Sequence, residues 1–122
     1  MTRINVIPPK DLHYSHLVAE YRELPRLFKL AESYWNRDKR QPLPADYRLG
    51  KGHVLFFYNK LTFLKQRFEL LVKEMITRGY KPAYTDAPMV SCPACAYNDY
   101  TPTNEAISIN TQRIKERLDA NR

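Results

Sequence analysis

At 122 residues the chain has the length of one domain around a single hydrophobic core, large enough to close without disulfide staples. Twenty Lys and Arg against thirteen Asp and Glu leave a formal charge of +7, which points to a polyanionic partner, nucleic acid foremost, or else to a surface that is simply basic. No apolar run reaches the ~18 residues of a membrane span and the first residues lack the apolar core of a signal peptide, so a cytoplasmic protein with no membrane partner is expected.

Residues 1–10 read as extended, because Pro8 and Pro9 exclude a helix before them. Asp11 is a candidate N-cap for a first helix over about Leu12 to Arg37. In it Leu17, Tyr21, Leu24, Phe28, Ala31 and Trp35 recur at spacings of three and four and form one buried stripe. The periodicity survives on both sides of Pro25, which is expected to bend the helix without ending it. A polar, Pro- and Gly-bearing loop follows. The second helix is expected over about Val54 to Arg78, with Phe57, Leu61, Leu64, Phe68, Leu71 and Met75 inward and Gly79 as its stop. Residues 80–102, rich in proline, form a long connection. The last helix runs from about Asn104 to Ala120, with Ile107 and Leu118 among its apolar positions and Arg113, Lys115 and Arg117 among its polar ones. The expectation is an all-α single domain over residues 1–122: three helices, long loops and an N-terminal segment packed between the helices.

Cys92 and Cys95 form a lone CxxC. Such a pair can be half a zinc site, a redox couple or two thiols in a loop. The Pro-rich surroundings lack the strand–helix context of a redox motif, and only His13, His16 and His53 are available as histidine ligands, so the loop is favoured. No metal and no cofactor are expected.

The first helix carries the most informative stretch, "HLVAEYRELPRLF". At ~100° per residue Glu23 falls within about 20° of His16, while Arg26 and Arg22 lie further round, away from the core. Spacing alone is also satisfied by a solvated face with incidental ion pairs.

"MTRIN" at the start, "HLVAEYRELPR" in the first helix and "GHVLFFYNKLTFL" in the second together resemble the pyrimidine-dimer DNA glycosylase family, the bacteriophage-type endonuclease V enzymes of ultraviolet-damage repair. The match is closest over residues 1–28 and 52–80 and continues, more weakly, through "NDYTP". The resemblance implies a compact three-helix fold and an enzyme with no cofactor. It implies that Met1 is removed and that the α-amine of Thr2 attacks the sugar C1′ of a cyclobutane dimer, forming an imine that permits β-elimination at the abasic site. It gives Glu23 as the essential carboxylate. Arg3, Arg22 and Arg26 match residues used against the DNA backbone; His16 matches a supporting group at the sugar or a phosphate, and Arg113 and Arg117 fall where the family carries basic residues facing DNA. The implied partner is double-stranded DNA bearing pyrimidine dimers or abasic sites, bound by a monomer that kinks the duplex and turns out the adenine opposite the lesion. The alternative is an abasic-site lyase or a non-catalytic DNA-bending module without dimer specificity, since the sequence ends at Arg122 without the aromatic, basic tail of the bacteriophage type.

Overall fold

The computed structural model describes residues 3–120, among which there are three α-helices and no strand. Helix α1 spans Tyr14–Trp35, α2 spans Leu61–Thr77 and α3 spans Asn104–Ala120. The all-α, three-helix expectation holds, while several boundaries shift for identifiable reasons.

Asp11 does not cap α1. It closes a 3-10 turn over Pro9–Asp11, and the cap is His13, whose Nδ1 accepts from the Ser15 amide at 3.2 Å. Proline at the first position fits the turn because its missing N–H would have had no helical partner. Helix α1 runs through Pro25, as its periodicity on both sides requires. Its inner stripe comprises Leu17, Leu24, Leu27, Phe28, Ala31 and Tyr34, whereas Tyr21 and Trp35 are half-buried at its margins.

The second helix starts later than the aromatic run suggests. Residues Leu55–Phe57 form a 3-10 turn, and Lys60, at φ −130° and ψ 42°, breaks the helical path before Leu61. Lys60 Nζ sits 3.8 Å from the Phe56 ring centroid and donates to the Phe56 carbonyl, which fixes the corner. Asn98 offers its carbonyl to the Phe63 amide at 3.2 Å, satisfying one orphan donor of the first turn. At the other end Gly79 adopts φ 90°, and the Tyr80 and Gly79 amides bond back to Met75 and Ile76, a Schellman closure.

Helix α3 begins where expected, with Thr103 Oγ1 accepting from the Ala106 amide at 3.0 Å. Its buried face differs from the expected one. Ala106, Asn110 and Ile114 point inward at i, i+4, i+8, while Ile107 is 37% exposed and Leu118 only half-buried. An asparagine thus occupies the centre of the α3 interface.

That asparagine belongs to a buried polar chain linking all three helices to the N-terminal segment. Glu20 of α1 and Arg67 of α2 form a two-pronged ion pair, Nε–Oε2 2.7 Å and Nη2–Oε1 2.9 Å, with both side chains at most 5% exposed. Asn5 Nδ2 donates to Glu20 Oε1 at 2.8 Å, and Asn110 Nδ2 donates to Asn5 Oδ1 at 2.8 Å. Asn110 Oδ1 accepts from the Val6 amide at 2.7 Å, and Arg67 donates to the Ile7 carbonyl. On the remaining side Ile4 donates its amide to His53 Nε2 at 2.7 Å and accepts from the Tyr47 hydroxyl at 3.0 Å. The extended segment therefore threads the helices, as expected, with four of its backbone polar groups bonded to side chains instead of a neighbouring strand.

The bulk of the stabilisation is apolar: fully buried leucines such as Leu17, Leu24, Leu64 and Leu71 contribute about 1.5–3 kcal/mol each. The ion pair adds little net stability over an apolar replacement, but losing one partner strands a buried charge. Accordingly Arg67→Met is expected to lower unfolding stability by about 3–5 kcal/mol. The double variant Glu20→Gln/Arg67→Met is expected to lose clearly less than the sum of its two single changes. Urea titration of the four proteins checks this, and additive losses would show that the two side chains are not coupled.

Candidate active site

Anchoring residues 4–7 places Arg3 at the rim of a cavity of about 360 Å³. The first half of α1 supplies His16, Glu20 and Glu23, the loop after it Leu49, Gly50 and His53, and α3 Arg113 and Arg117. Seven residues, just short of two turns, separate His16 from Glu23, so the helix puts both on the same wall. The loop closes the opposite side, with Gly50 at φ 70°, a left-handed conformation that glycine adopts without strain.

Of the expected site residues the cavity brings together Arg3, His16, Glu23, Arg113 and Arg117. Arg26 stands just outside, 70% exposed, with Nη1 3.1 Å from Glu23 Oε2. Arg22 is exposed and does not line the cavity. Thr2, the expected nucleophile, lies outside the described residues, as does Met1.

The electrostatics are dominated by cations. Glu20 reaches the cavity wall, but its charge is already held by Arg67. Glu23 is the second carboxylate of the wall, which it shares with Arg3, Arg113 and Arg117. Burial, reinforced by Arg117 and Arg113, pulls the Arg3 guanidinium below its ordinary value, against opposing effects of Tyr47 and Glu20. His16 is also lowered, first by burial and then by Arg3, His13 and Arg117, so its ring is neutral near pH 7. Arg3 Nε and His16 Nδ1 are buried and have no hydrogen-bond partner among the described residues. Both atoms therefore retain capacity to bond to whatever enters the cavity, water included.

Three further residues, Asn5, Glu20 and His53, line the cavity while holding the N-terminal segment, and none of them stands out in the sequence as a site residue. His53, which the sequence suggests only as a metal ligand, accepts from the Ile4 amide through Nε2 and contacts the Arg48 carbonyl through Nδ1 at 2.7 Å. The two contacts together require the neutral ring with its proton on Nδ1. A signal for Glu20 is present: it sits between Leu17 and Leu24 at spacings of three and four, within the apolar register. Cys92 and Cys95 are free thiols on the long connection and do not line the cavity. No helix among the described residues is long and apolar enough to cross a membrane.

The buried imidazole makes the N-terminal anchor pH-sensitive. Burial lowers the His53 pKa in the folded chain, with Arg3 adding to the effect and the Arg48 carbonyl opposing it. Above about pH 6.5 both folded and unfolded chains keep the ring neutral; below it the unfolded chain takes up a proton that the folded one refuses. Stability is therefore expected to fall as pH drops from 7 to 5. His53→Gln is expected to be less stable at pH 7 and to lose less on acidification. Urea midpoints at the two pH values decide it, and parallel losses in both proteins would remove His53 from the acid response.

A family model described as pyrimidine dimer DNA glycosylase matches residues 1–87 of the chain.

Proposed function

The chain belongs to the pyrimidine dimer DNA glycosylase family, and from that premise we propose that it excises dimerised bases with the α-amine of Thr2 and then cleaves the strand at the resulting abasic site. The family makes it a DNA-repair glycosylase acting on DNA with pyrimidine dimers; the nucleophile, the lyase step and the residue roles are our reading. The observation that carries it is the cavity bordered by Arg3, the residue bonded to Thr2, and walled by Glu23.

The chemistry follows from an amine in a cationic pocket. An α-amine has an unperturbed pKa of about 7.7–8.0, and neighbouring guanidinium groups disfavour its charged form. The neutral amine attacks C1′ and the N-glycosidic bond breaks; the base leaves the sugar with the bonding electrons and takes up a proton, while the cyclobutane ring still joins it to the neighbouring pyrimidine. Loss of the amine proton and opening of the sugar ring give an imine. The imine acidifies C2′, whose proton is removed as the 3′ phosphate leaves. Glu23 stabilises positive charge developing at the sugar and carries protons between these steps. On the same helix Arg26 Nη1 lies 3.1 Å from its Oε2.

Arg3, Arg113 and Arg117 receive DNA phosphates, for which guanidinium geometry is suited. A phosphate oxygen would also satisfy the unmatched Arg3 Nε. His16, neutral, stands beside the sugar as a hydrogen-bonding group. Arg22 and Arg26, outside the cavity, act on the approaching backbone. Reaching C1′ requires a distorted duplex, and the cations lining the site help hold the bend and the extruded nucleotide.

Borohydride added during incubation with ultraviolet-irradiated duplex is expected to trap a covalent adduct that peptide mapping assigns to Thr2. Absence of an adduct from protein whose intact mass begins at Thr2 would overturn the amine mechanism. Glu23→Gln is expected to bind the same duplex within about threefold of the parent while losing base release by at least about 10²-fold, the scale of a general acid–base contribution. Undiminished base release would remove Glu23 from the chemistry.

A further inference from the structure

The loop that closes the active-site cavity also forms part of a second concave surface. Leu49 and Gly50 line the cavity, while their neighbours Arg48 and Lys51 line a groove of about 730 Å³ together with Arg37, Tyr34 and Tyr58. No Asp or Glu lines this groove. Arg37, Arg48 and Lys51 are exposed, and none forms an ion pair with a described residue. Along residues 37–51 the sequence carries five cations against two acids.

One of those five is already used. Arg40 donates to the Trp35 and Arg37 carbonyls at 3.2 and 3.1 Å, and its guanidinium lies 5.1 Å from the Trp35 ring centroid. It thereby satisfies the last carbonyl of α1 and fixes the start of the loop. The groove cations Arg37, Arg48 and Lys51 have no such employment. Three like charges around one concavity repel each other unless an anion is shared between them.

We propose that this groove holds the phosphate backbone of the duplex beyond the reacting nucleotide, an extension that rests on the glycosylase reading of the adjoining cavity. Arg48 and Lys51 flank the two loop residues of the cavity wall, so the two surfaces lie about 10 Å or less apart along the chain. DNA advances about 3.4 Å per nucleotide along one strand, which puts the groove about three nucleotides from the reacting sugar. The contacts are electrostatic and non-sequence-specific, and they give the enzyme purchase on the undamaged flank that it bends.

The test measures binding to a 25-bp duplex, about two helical turns, across a range of salt concentrations. Removing one cation from a phosphate reduces the magnitude of the salt slope by about 0.9, so Arg37→Gln/Arg48→Gln/Lys51→Gln is expected to reduce it by about 2.7. Lys65→Gln/Lys73→Gln/Lys81→Gln removes the same charge elsewhere on the exposed surface and is expected to keep the parental slope. On the DNA side, neutral methylphosphonates placed two to four nucleotides from the lesion are expected to weaken the parent but not the groove variant. Equal slopes in the two triple variants, or methylphosphonates without effect on the parent, would overturn the groove. Failure of the parent to break the glycosidic bond at dimers in irradiated duplex, with the groove effect intact, would instead fault the reading of the reaction.

Discussion

The buried ion pair between Glu20 and Arg67, with Asn5 bonded to it and Asn110 bonded to Asn5, is the constraint on which the architecture turns. Each partner comes from a different piece of chain: the N-terminal segment, α1, α2 and α3. An extended segment between helices has no strand to pair with, so its amides and carbonyls must find side chains or remain unsatisfied. Asn110, Arg67, His53 and Tyr47 supply those partners for residues 4–7. A chain terminus that would ordinarily fray is thereby turned into a core element.

The arrangement also separates two acids one turn apart on a single helix. Glu20 is neutralised inside the network, while Glu23, three residues on, faces the cavity beside exposed Arg26. The cavity then holds Arg3, Arg113 and Arg117 with Glu23 and the core-bound Glu20, and His16 is kept neutral by burial and neighbouring cations. An amine entering such a field is driven toward its neutral, nucleophilic form, and a phosphate entering it is attracted. A single electrostatic bias thus serves both binding and the proposed chemistry.

Whatever depends on apolar periodicity is legible in the sequence. Leu17, Leu24, Phe28 and Ala31 in α1, and Leu61, Leu64, Phe68, Leu71 and Met75 in α2, are buried as their spacing requires. The first turn of the second helix is not legible, because Phe56 and Phe57 satisfy their burial in a 3-10 turn as well as in a helix. Asp11 and His13 exchange roles because the prolines favour a separate turn before α1. The polar core is hidden for a more general reason: Glu20, Arg67 and Asn110 are residue types normally solvated, and only their placement within the apolar register betrays them. Of the described residues tied to the family resemblance, all converge on the cavity except Arg22 and Arg26, while the groups that position them are not visible as such in the sequence.

The central claim is that residues 4–6 are held as core, not as a frayed end. Native-state hydrogen exchange at the Ile4 and Val6 amides measures it most directly, since their acceptors are the buried His53 ring and Asn110 side chain. The account requires both amides to exchange with the free energy of global unfolding, like the central amides of α1 and α2. Exchange at the rate of a solvated terminus would contradict it.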